Sequence, residues 1–579
     1  MKKLLFVFIA LISSILFFAE DVEWLVVDVD GGVPGNTLFL GTTSGPKTLN
    51  PATSQETSSN DIISLFLDSM LQQDQYGFVT QPALAKSWKY EKTSEGGVSY
   101  YFTLRKGLKW SDGEPLTIDD VIFTFEKIYF KNDMTPNGND SYLDSEKNLP
   151  IIEKVDNYTV KFTYKTLVRN GNGIFGGTSI LPKHIFKDHV SSSDALAQTW
   201  TVDQLKSVVA SGPFILKDYK EGVRIVLEKN PNYYAKSKDG IRLPYLDKII
   251  YTILPNNQTE LLRFKAGDLD LMGITANDYP TLKAGEEEGN YKTIVGELNP
   301  GPSFIAFNFN APEKYKRAWF RDSEFRKAVS FALDRNSVVD NMLNGMGAAV
   351  FSREVPDSKY YDEETINRMH YKYSLSKAKS ILRKAGYVLK NGKLFDKFGN
   401  QVTFSIETNV STEVWVDIAN ILKDSLQKLG IDVIFTPIQF NTLVQKIITT
   451  GQWDAVILRL SGDTPDPAAE NVWTLKGGLH FWNFSPETKE FVDKEDYFVP
   501  DYEKRIDEIM VQQKTLLDDE KLTKLFKEFN NILAEEQVLI YTFAQNYLVA
   551  VNNKVHLYTK KPNPYIKSTY RIYAIWKEN

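Results

Sequence analysis

The sequence holds few residue patterns that could carry out catalysis or bind a cofactor. It contains no cysteine, which excludes a thiol nucleophile, a zinc-thiolate site and a disulfide framework. No two of its five histidines are three or four residues apart, the spacing of a metal site on one helix face. The G-x-S-x-G, P-loop and H-E-x-x-H motifs are also absent. We therefore predict no catalytic residue, no metal site and no cofactor.

Two patterns resemble functional sites but have simpler local explanations. Residues 171–176 match G-x-G-x-x-G, a dinucleotide fingerprint that must be followed by a long helix. Pro182 excludes that helix, so we expect a flexible loop. Asp119 and Asp120 could form a catalytic pair of carboxylates. However, Thr117 at the N-cap and Asp120 at the third helical position form a capping box, which accounts for acids at a helix start.

The best candidate for ligand binding is the loop 461–467, with the sequence SGDTPDP. It follows an apolar strand predicted over 453–460, the last element of a strand-helix-strand-helix-strand pattern that begins at Val402. This pattern indicates a parallel, doubly wound sheet. Ligands of such sheets bind beyond the carboxyl ends of the strands, where this loop begins. Topology alone therefore makes 461–467 a candidate binding loop.

A second strand-helix-strand pattern lies earlier in the chain, and two such units far apart predict two α/β lobes. Amphipathic helices over 60–71 and 522–533 are expected to cover the sheets. Numbered in chain order, the first unit is predicted as a strand over 248–254, a helix over 260–266 ended by Gly267, and a strand over 269–272. The second is predicted as strands over 402–407, 431–436 and 453–460, with a helix ended by Gly430 and a helix over 441–450.

Tryptophans are dense in the same half of the chain as the candidate loop. They are Trp415, Trp453, Trp473 and Trp482. Most aromatic residues belong to hydrophobic cores. Trp473 and Trp482 are the best candidates for ligand contact, because they lie in irregular sequence just after the loop.

The composition is that of a globular protein without affinity for nucleic acid. Of 579 residues, 68 are basic and 74 acidic, for a net charge of −6, so the basic surplus of nucleic-acid binders is missing. With 42% hydrophobic and 25% charged residues, the chain is neither disordered nor fibrous. Its length predicts three to four domains.

The N-terminus is typical of an exported protein. Lys2 and Lys3 precede an apolar run over 4–18, which suits a signal peptide and is short for a membrane span. We predict cleavage near Ala19. An uncleaved anchor is the alternative. Because no cysteine is available for a lipid anchor, the mature protein is expected to be free in the periplasm.

Residues 102–121 (FTLRKGLKWSDGEPLTIDDV) resemble the signature of family 5 extracellular solute-binding proteins, the oligopeptide-, dipeptide- and nickel-binding receptors of ABC importers. The main departure is Ile118, where a small residue is usual. Further matches follow in the family's order, so that the resemblance spans essentially the mature chain. They are 84–88 (LAKSW), 211–214 (SGPF), 230–234 (NPNYY) and 325–334 (FRKAVSFALD).

The resemblance implies an α/β, type II periplasmic-binding-protein fold. Two mixed-sheet lobes would be joined by a hinge and close over the ligand, with an additional domain inserted in lobe one. The implied boundaries are a signal peptide over 1–19, lobe one over 35–75, 196–298 and 544–579, the inserted domain over 76–195 and lobe two over 299–543.

The resemblance also implies a ligand site. In peptide-binding members an aspartate just after a lobe-two strand pairs with the ligand ammonium, and here Asp463 corresponds to it. An alternative role for Asp463 is to cap its own loop, because S-G-D-T-P is also good turn sequence. The strand before the aspartate and a segment near the N-terminus hydrogen-bond the peptide backbone. The corresponding residues are Arg459, Leu460 and Ser461 on the strand and Gly45, Pro46 and Lys47 in the segment, where Pro46 lacks an amide donor.

The function implied is that of a monomeric, non-enzymatic receptor that captures a short peptide and delivers it to the permease and ATPase subunits of an ABC importer. A β-linked oligosaccharide is the alternative ligand, since aromatic-rich members of the family take sugars. Asp463 would then accept hydrogen bonds from hydroxyl groups. A nickel chelate is a weaker alternative. A secreted hydrolase is the competing class, and no nucleophile-base arrangement in the sequence supports it.

Overall fold

Two mixed β-sheets organise the chain, and two hydrophobic clusters pack on them. One cluster fills the part built on the smaller sheet and continues onto one face of the larger sheet, and the other covers the opposite face of the larger sheet. The structure is a computed structural model that describes residues 22–369, 371–460 and 469–579. We call the part built on the larger sheet lobe one and the part built on the smaller sheet lobe two. No helix in these described ranges is both long and apolar enough to cross a membrane.

The lobe-one sheet contains the first predicted strand-helix-strand unit. Lys248–Ile253 and Leu271–Gly273 both run parallel to Thr37–Thr42, which lies between them. The helix Asn257–Lys265 connects them, with the Asn256 side chain accepting from the Thr259 amide and Gly267 following at φ +80°. The unit is therefore confirmed. The spatial order of the sheet is Tyr291–Leu298, Phe543–Asn552, Leu271–Gly273, Thr37–Thr42, Lys248–Ile253, Arg224–Lys229 and Phe214–Lys220, with Gly347–Ala349 also paired to Phe543–Asn552.

The lobe-two sheet contains the second predicted unit. Its spatial order is Asp432–Ile438, Thr403–Asn409, Ala455–Leu458, Phe304–Phe307 and Ile540–Tyr541. The first three strands are parallel and the last two are antiparallel to their neighbours. The connecting helices are Glu413–Gln427 and Phe440–Gln445, the latter extended by a π-helical turn over Lys446–Thr450. All four residues of Ala455–Leu458 are buried, as expected for a sheet interior.

A separate four-stranded antiparallel sheet lies within the range predicted for the inserted domain. Its order is Ala85–Lys92, Val98–Leu104, Thr159–Tyr164 and Ile151–Lys154. The helix Ile118–Phe123 begins at the predicted capping box, in which the Asp119 amide donates to Thr117 Oγ1 (3.2 Å) and the Thr117 amide to Asp120 Oδ2 (2.8 Å). The prediction of a flexible loop over 171–176 is wrong. Asn172–Gly176 forms a π-helical turn, because the buried Phe175 ring stacks on Phe162 at 4.0 Å.

The remaining elements cover these sheets or form small pairs at their edges. The strand pairs are Leu25–Val27 with Ala235–Ser237, Leu71–Gln73 with Val79–Pro82, Val388–Lys390 with Lys393–Phe395, and Val555–His556 with Trp576–Lys577. The other α-helices are Thr57–Phe66, Lys183–Phe186, Ser193–Ala197, Tyr279–Ala284, Lys314–Arg321, Ser323–Ala332, Arg335–Met342, Glu363–Met369, Leu375–Lys384, Glu470–Trp473, Asp501–Gln512 and Asp519–Glu536.

Two adjacent crossings of the chain connect the sheets. Residues 299–303 lead from a lobe-one strand to a lobe-two strand, and Thr542 leads back. The crossings are hydrogen-bonded to each other, with the Thr542 amide donating to the Ser303 carbonyl (2.9 Å) and the Asn299 amide to the Gln545 carbonyl (2.7 Å). This geometry is that of a two-strand hinge. The predicted lobe boundaries at 298/299 and 543/544 lie beside it.

Gly301 is the tightest point of the first crossing, and we expect Gly301→Ala to disturb it. Its φ is +66°, and a Cβ there would lie 2.8 Å from the Leu460 carbonyl oxygen. Gly345→Ala is a matched control, because Gly345 has φ +75° with open space around it. In both variants the free energy of unfolding should fall by about 1 to 2 kcal/mol, because alanine is strained in the left-handed backbone conformation.

Only Gly301→Ala should lose more than this, because the Leu460 carbonyl must move. Denaturant unfolding measures the loss, and small-angle scattering reports the accompanying change in the angle between the lobes. Equal losses in the two variants would show that Gly301 has no special role in the hinge.

Candidate functional site

In both sheets the carboxyl ends of parallel strands point toward the hinge. After the lobe-one strand Leu271–Gly273, the Ile274 amide donates to the Leu548 carbonyl (3.0 Å), on the strand that leads to the second crossing. At the end of the lobe-two strand Ala455–Leu458, the Arg459 guanidinium donates to the Gly301 carbonyl (2.8 Å). The space between the lobes is thus bordered by the strand ends that bind ligands in such sheets.

A cavity of about 770 Å³ lies on the lobe-one side, and we call it the lobe-one cavity. Its wall begins with Thr42 and Ser44 at the end of a parallel strand and continues along the helix Thr57–Phe66. Residues 565–573, near the C-terminus of the chain, complete it. Six tyrosines contribute to the wall, namely Tyr129, Tyr142, Tyr251, Tyr565, Tyr570 and Tyr573. The volume is within the usual range of small-molecule sites.

Two aspartates in this wall have different electrostatic environments. At the rim, Asp61 is about half exposed and pairs with Lys567 at 2.7 Å. Deeper in, Asp68 Oδ2 accepts a hydrogen bond from the Tyr234 hydroxyl at 2.5 Å. Burial raises the pKa of Asp68 to about 7, and the Tyr234 hydrogen bond only partly opposes this rise.

A smaller pocket of about 160 Å³ lies where the lobe-two strand end meets the hinge. Trp415 lines it and donates from Nε1 to Ser303 Oγ at 2.9 Å. Arg459 also lines it and donates to the carbonyls of Gly301 and Pro300. Desolvation lowers the pKa of the Arg459 guanidinium, while the nearby Tyr565 opposes this shift. Tyr565 belongs to the lobe-one wall, so it links the two sides of the cleft.

The predicted lobe-two residues are only partly described. Arg459 and Leu460 directly follow the buried strand, with Arg459 exposed and Leu460 half-buried. Ser461 and Asp463 lie outside the described residues. The contact of all four with ligand stays a prediction.

The predicted lobe-one segment lies next to the cavity, but part of its backbone is already bonded. The Lys47 amide donates to Ser59 Oγ at 2.9 Å, on the helix Thr57–Phe66. The Pro46 carbonyl accepts from the Tyr219 hydroxyl at 3.4 Å, and the half-buried Gly45 packs close to the same hydroxyl. Contact of Gly45, Pro46 and Lys47 with ligand stays a prediction.

The structure contradicts the expected ligand contact of Trp473 and Trp482. Their exposed fractions are 2% and 0%, and their rings lie 5.2 Å apart in the lobe-two core. Trp482 Nε1 donates to the buried carboxylate of Glu503 (3.0 Å), and Trp473 packs on Phe529. The irregular sequence was a misleading signal, because Trp473 ends the short helix Glu470–Trp473 and both rings are buried in the core.

Sequence reasoning missed several residues of the cleft. Trp415 is the tryptophan that lines the hinge pocket, although it was not among the preferred candidates. Asp68 and Tyr565 carried no local signal, because neither belongs to a motif and their neighbours in space are distant in sequence. Thr42 and Ser44 could have been found, since Thr42 is the last residue of a parallel strand and Ser44 lies just beyond its carboxyl end.

The region that carries the four-stranded antiparallel sheet contacts lobe two. The Arg169 amide donates to the Lys514 carbonyl (2.7 Å), and its guanidinium donates to the carbonyl (3.0 Å) and side-chain oxygen (2.9 Å) of Gln513. The Tyr90 hydroxyl donates to the Leu517 carbonyl at 3.4 Å. These hydrogen bonds join that region to the segment between the helices Asp501–Gln512 and Asp519–Glu536 of lobe two.

Comparisons with known proteins agree with this architecture. Residues 79–478 match the family described as bacterial extracellular solute-binding proteins, family 5. The oligopeptide-binding protein AppA of Bacillus subtilis (strain 168) is 28% identical over 549 residues, covering 94% of this chain and 92% of AppA. The solved structure of AppA from Bacillus subtilis in complex with a nonapeptide has a TM-score of 0.65 and 26% identity, covering 95% of this chain and 100% of that one.

A sugar-binding relative is also similar over a shorter range. The periplasmic alpha-galactoside-binding protein of Rhizobium meliloti (strain 1021) is 26% identical over 381 residues, covering 61% of this chain and 53% of that protein. All these relatives are binding proteins rather than enzymes. The two lobes, the hinge and the extra antiparallel sheet form the type II periplasmic-binding-protein fold, and the chain belongs to family 5 of the bacterial extracellular solute-binding proteins, the substrate-binding components of ABC importers.

Proposed function

We propose that this protein captures short peptides between its two lobes in the periplasm and delivers them to the permease of an ABC importer. It would be exported by its N-terminal signal peptide, cleaved near Ala19, and act as a monomer without changing its ligand. The observation that carries this proposal is the lobe-one cavity, which lies at the carboxyl end of the parallel strand Thr37–Thr42. The peptide-binding relatives support the ligand class.

The physical basis is hydrogen bonding between the peptide backbone and the protein, which does not depend on the peptide's side chains at most positions. An extended peptide hydrogen-bonds to exposed backbone, which supplies affinity for many sequences. Asp463 would pair with the peptide ammonium from the lobe-two side, once the lobes enclose it. Closure removes water from that pair and strengthens it.

A β-linked oligosaccharide is the second candidate ligand, favoured by the tyrosine-rich wall. The alpha-galactoside-binding relative supports sugars as a class but not this linkage. Sugar rings stack on aromatic faces and carry no ammonium. Under this alternative, Asp463 would accept hydrogen bonds from hydroxyl groups, and the tyrosines would supply most of the affinity.

A titration of the purified mature protein with peptide and oligosaccharide libraries tests the proposal. We expect one peptide per chain, recovered intact, with a rise in thermal stability. A ligand at 100 times its dissociation constant should stabilise the folded state by about 2.7 kcal/mol. Binding of sugars but not peptides would favour the alternative, and release of cleaved products over many turnovers would refute a receptor.

A further inference from the structure

Asp68 is a half-buried carboxylate with a single hydrogen-bond partner for its side chain. The fully buried aspartates in the described part of the chain are paired with a cation or with backbone amides. Asp270 pairs with Lys577 at 2.8 Å, and Asp120 accepts from the amides of Thr117 and Lys183. In the described part of the chain, the Asp68 carboxylate accepts only from the Tyr234 hydroxyl and has no cationic partner.

The remaining surface of Asp68 faces the lobe-one cavity. Its backbone is held in place, because its amide donates to Ser211 Oγ (2.9 Å) and its carbonyl accepts from the Ile180 amide (3.2 Å). The side chain is half-buried and lines the cavity. Desolvation of an unpaired carboxylate in such a position costs free energy unless a ligand supplies a compensating positive charge.

The wall around Asp68 favours a cation over a neutral or anionic group. Six tyrosines line the cavity, and the faces of aromatic rings attract positive charge. Arg571 also belongs to the wall, but its guanidinium donates to the Tyr558 hydroxyl (2.8 Å) and stacks on the rings of Tyr558 and Tyr570. Neither Arg571 nor Lys567, which pairs with Asp61, forms an ion pair with Asp68.

We propose that Asp68 binds a positively charged side chain of the ligand, so that the protein prefers peptides that contain lysine or arginine. This inference rests on the proposed function and names the ligand class within it. The Asp68 subsite is separate from the ammonium site expected at Asp463, because it lies in lobe one and reads a side chain.

The protonation state of Asp68 should make the preference for basic peptides depend on pH, which gives a second measurement. Burial holds its pKa at about 7, so the carboxylate is largely neutral at pH 6 and ionised at pH 8. The phenols that face it, Tyr233, Tyr234 and Tyr573, remain neutral in this range, because burial raises the pKa of each above its usual value. A lysine side chain stays charged throughout. The preference for a basic peptide should therefore increase from pH 6 to pH 8.

The test uses alanine pentapeptides in which one lysine, or one uncharged norleucine, occupies each position in turn. Calorimetric titration at pH 8 should show at least a tenfold preference for lysine at one position. Asp68→Asn should reduce this preference to less than about twofold and leave the affinity for norleucine peptides unchanged. Asp218→Asn is the control, because Asp218 is an exposed lobe-one aspartate paired with Arg224 outside the cavity.

The outcomes separate this inference from the proposed function. If lysine and norleucine peptides bind the wild type equally well, or if Asp68→Asn keeps the preference, the inference is refuted and the proposed function stands. The affinity lost in Asp68→Asn could instead depend on whether the peptide has a free N-terminus and not on whether it contains lysine. In that case Asp68 binds the terminal ammonium and the inference is wrong. If no pentapeptide binds, the proposed function fails as well.

Discussion

Trp482→Ala is expected to lower the free energy of unfolding by about 3 to 5 kcal/mol, the usual cost of truncating a fully buried aromatic side chain. Trp482 has no exposed surface, and its ring contacts His480 and Trp473 in the lobe-two core. Its indole N–H also donates to Glu503, which is buried and whose other oxygen accepts from Asn483 at 2.6 Å. Removal of the indole leaves both a cavity and an underbonded carboxylate.

Trp482→Phe separates these two effects. It keeps most of the apolar volume and removes only the donor, so we expect a loss of about 1 to 3 kcal/mol. Chemical denaturation followed by circular dichroism measures both variants. The folded fraction of each should bind ligand with wild-type affinity. Normal stability combined with weak binding in Trp482→Ala would restore the original hypothesis of ligand contact.

Asp463→Asn is expected to weaken the binding of peptides with a free N-terminus by about 30-fold or more. The reason is that loss of one partner from an enclosed charge pair costs about 2 to 5 kcal/mol. Asp463 follows Arg459 and Leu460 in sequence, and the Arg459 guanidinium donates to the Gly301 carbonyl at the hinge. N-acetylated peptides should bind the wild type and the variant equally weakly, because they lack the ammonium group.

Asp424→Asn is a suitable control for the change in net charge, since Asp424 is exposed on the lobe-two helix Glu413–Gln427. Calorimetric titrations of both variants with matched free and acetylated peptides complete a double-mutant cycle. If Asp463→Asn weakens free and acetylated peptides to the same extent, Asp463 acts as a loop cap rather than as the partner of the ammonium.

Elements bounded by their own residues could be predicted from the sequence. The helix Ile118–Phe123 begins at Thr117 because that side chain accepts from the helix it starts. The helix Asn257–Lys265 is bounded by Asn256 and Gly267 in the same way. The parallel strands of lobe two were also predictable, because strands buried on both faces are continuously apolar. Each of these signals acts within a few residues.

The helix Thr57–Phe66 shows where such reasoning fails. Periodicity predicts a helix over 60–71, but the helix ends at Phe66. The amides of Ser211 and Gly212 both donate to the Phe66 carbonyl, and the Ser211 hydroxyl accepts from the Asp68 amide. This cap comes from a distant segment. It is also the contact that turns Asp68 out of the helix and holds its backbone beside the cavity.

The sequence by itself determined the family, the α/β class and the positions of most strands and capped helices, because these depend on contiguous motifs and on short-range periodicity. Only the tertiary structure decided which polar groups line the cleft. Thr42, Asp68 and Tyr565 come from opposite ends of the chain and meet in one wall. Trp473 and Trp482 are buried although the sequence around them has no regular pattern. Burial and charge pairing are properties of neighbours in space, and a linear pattern does not contain them.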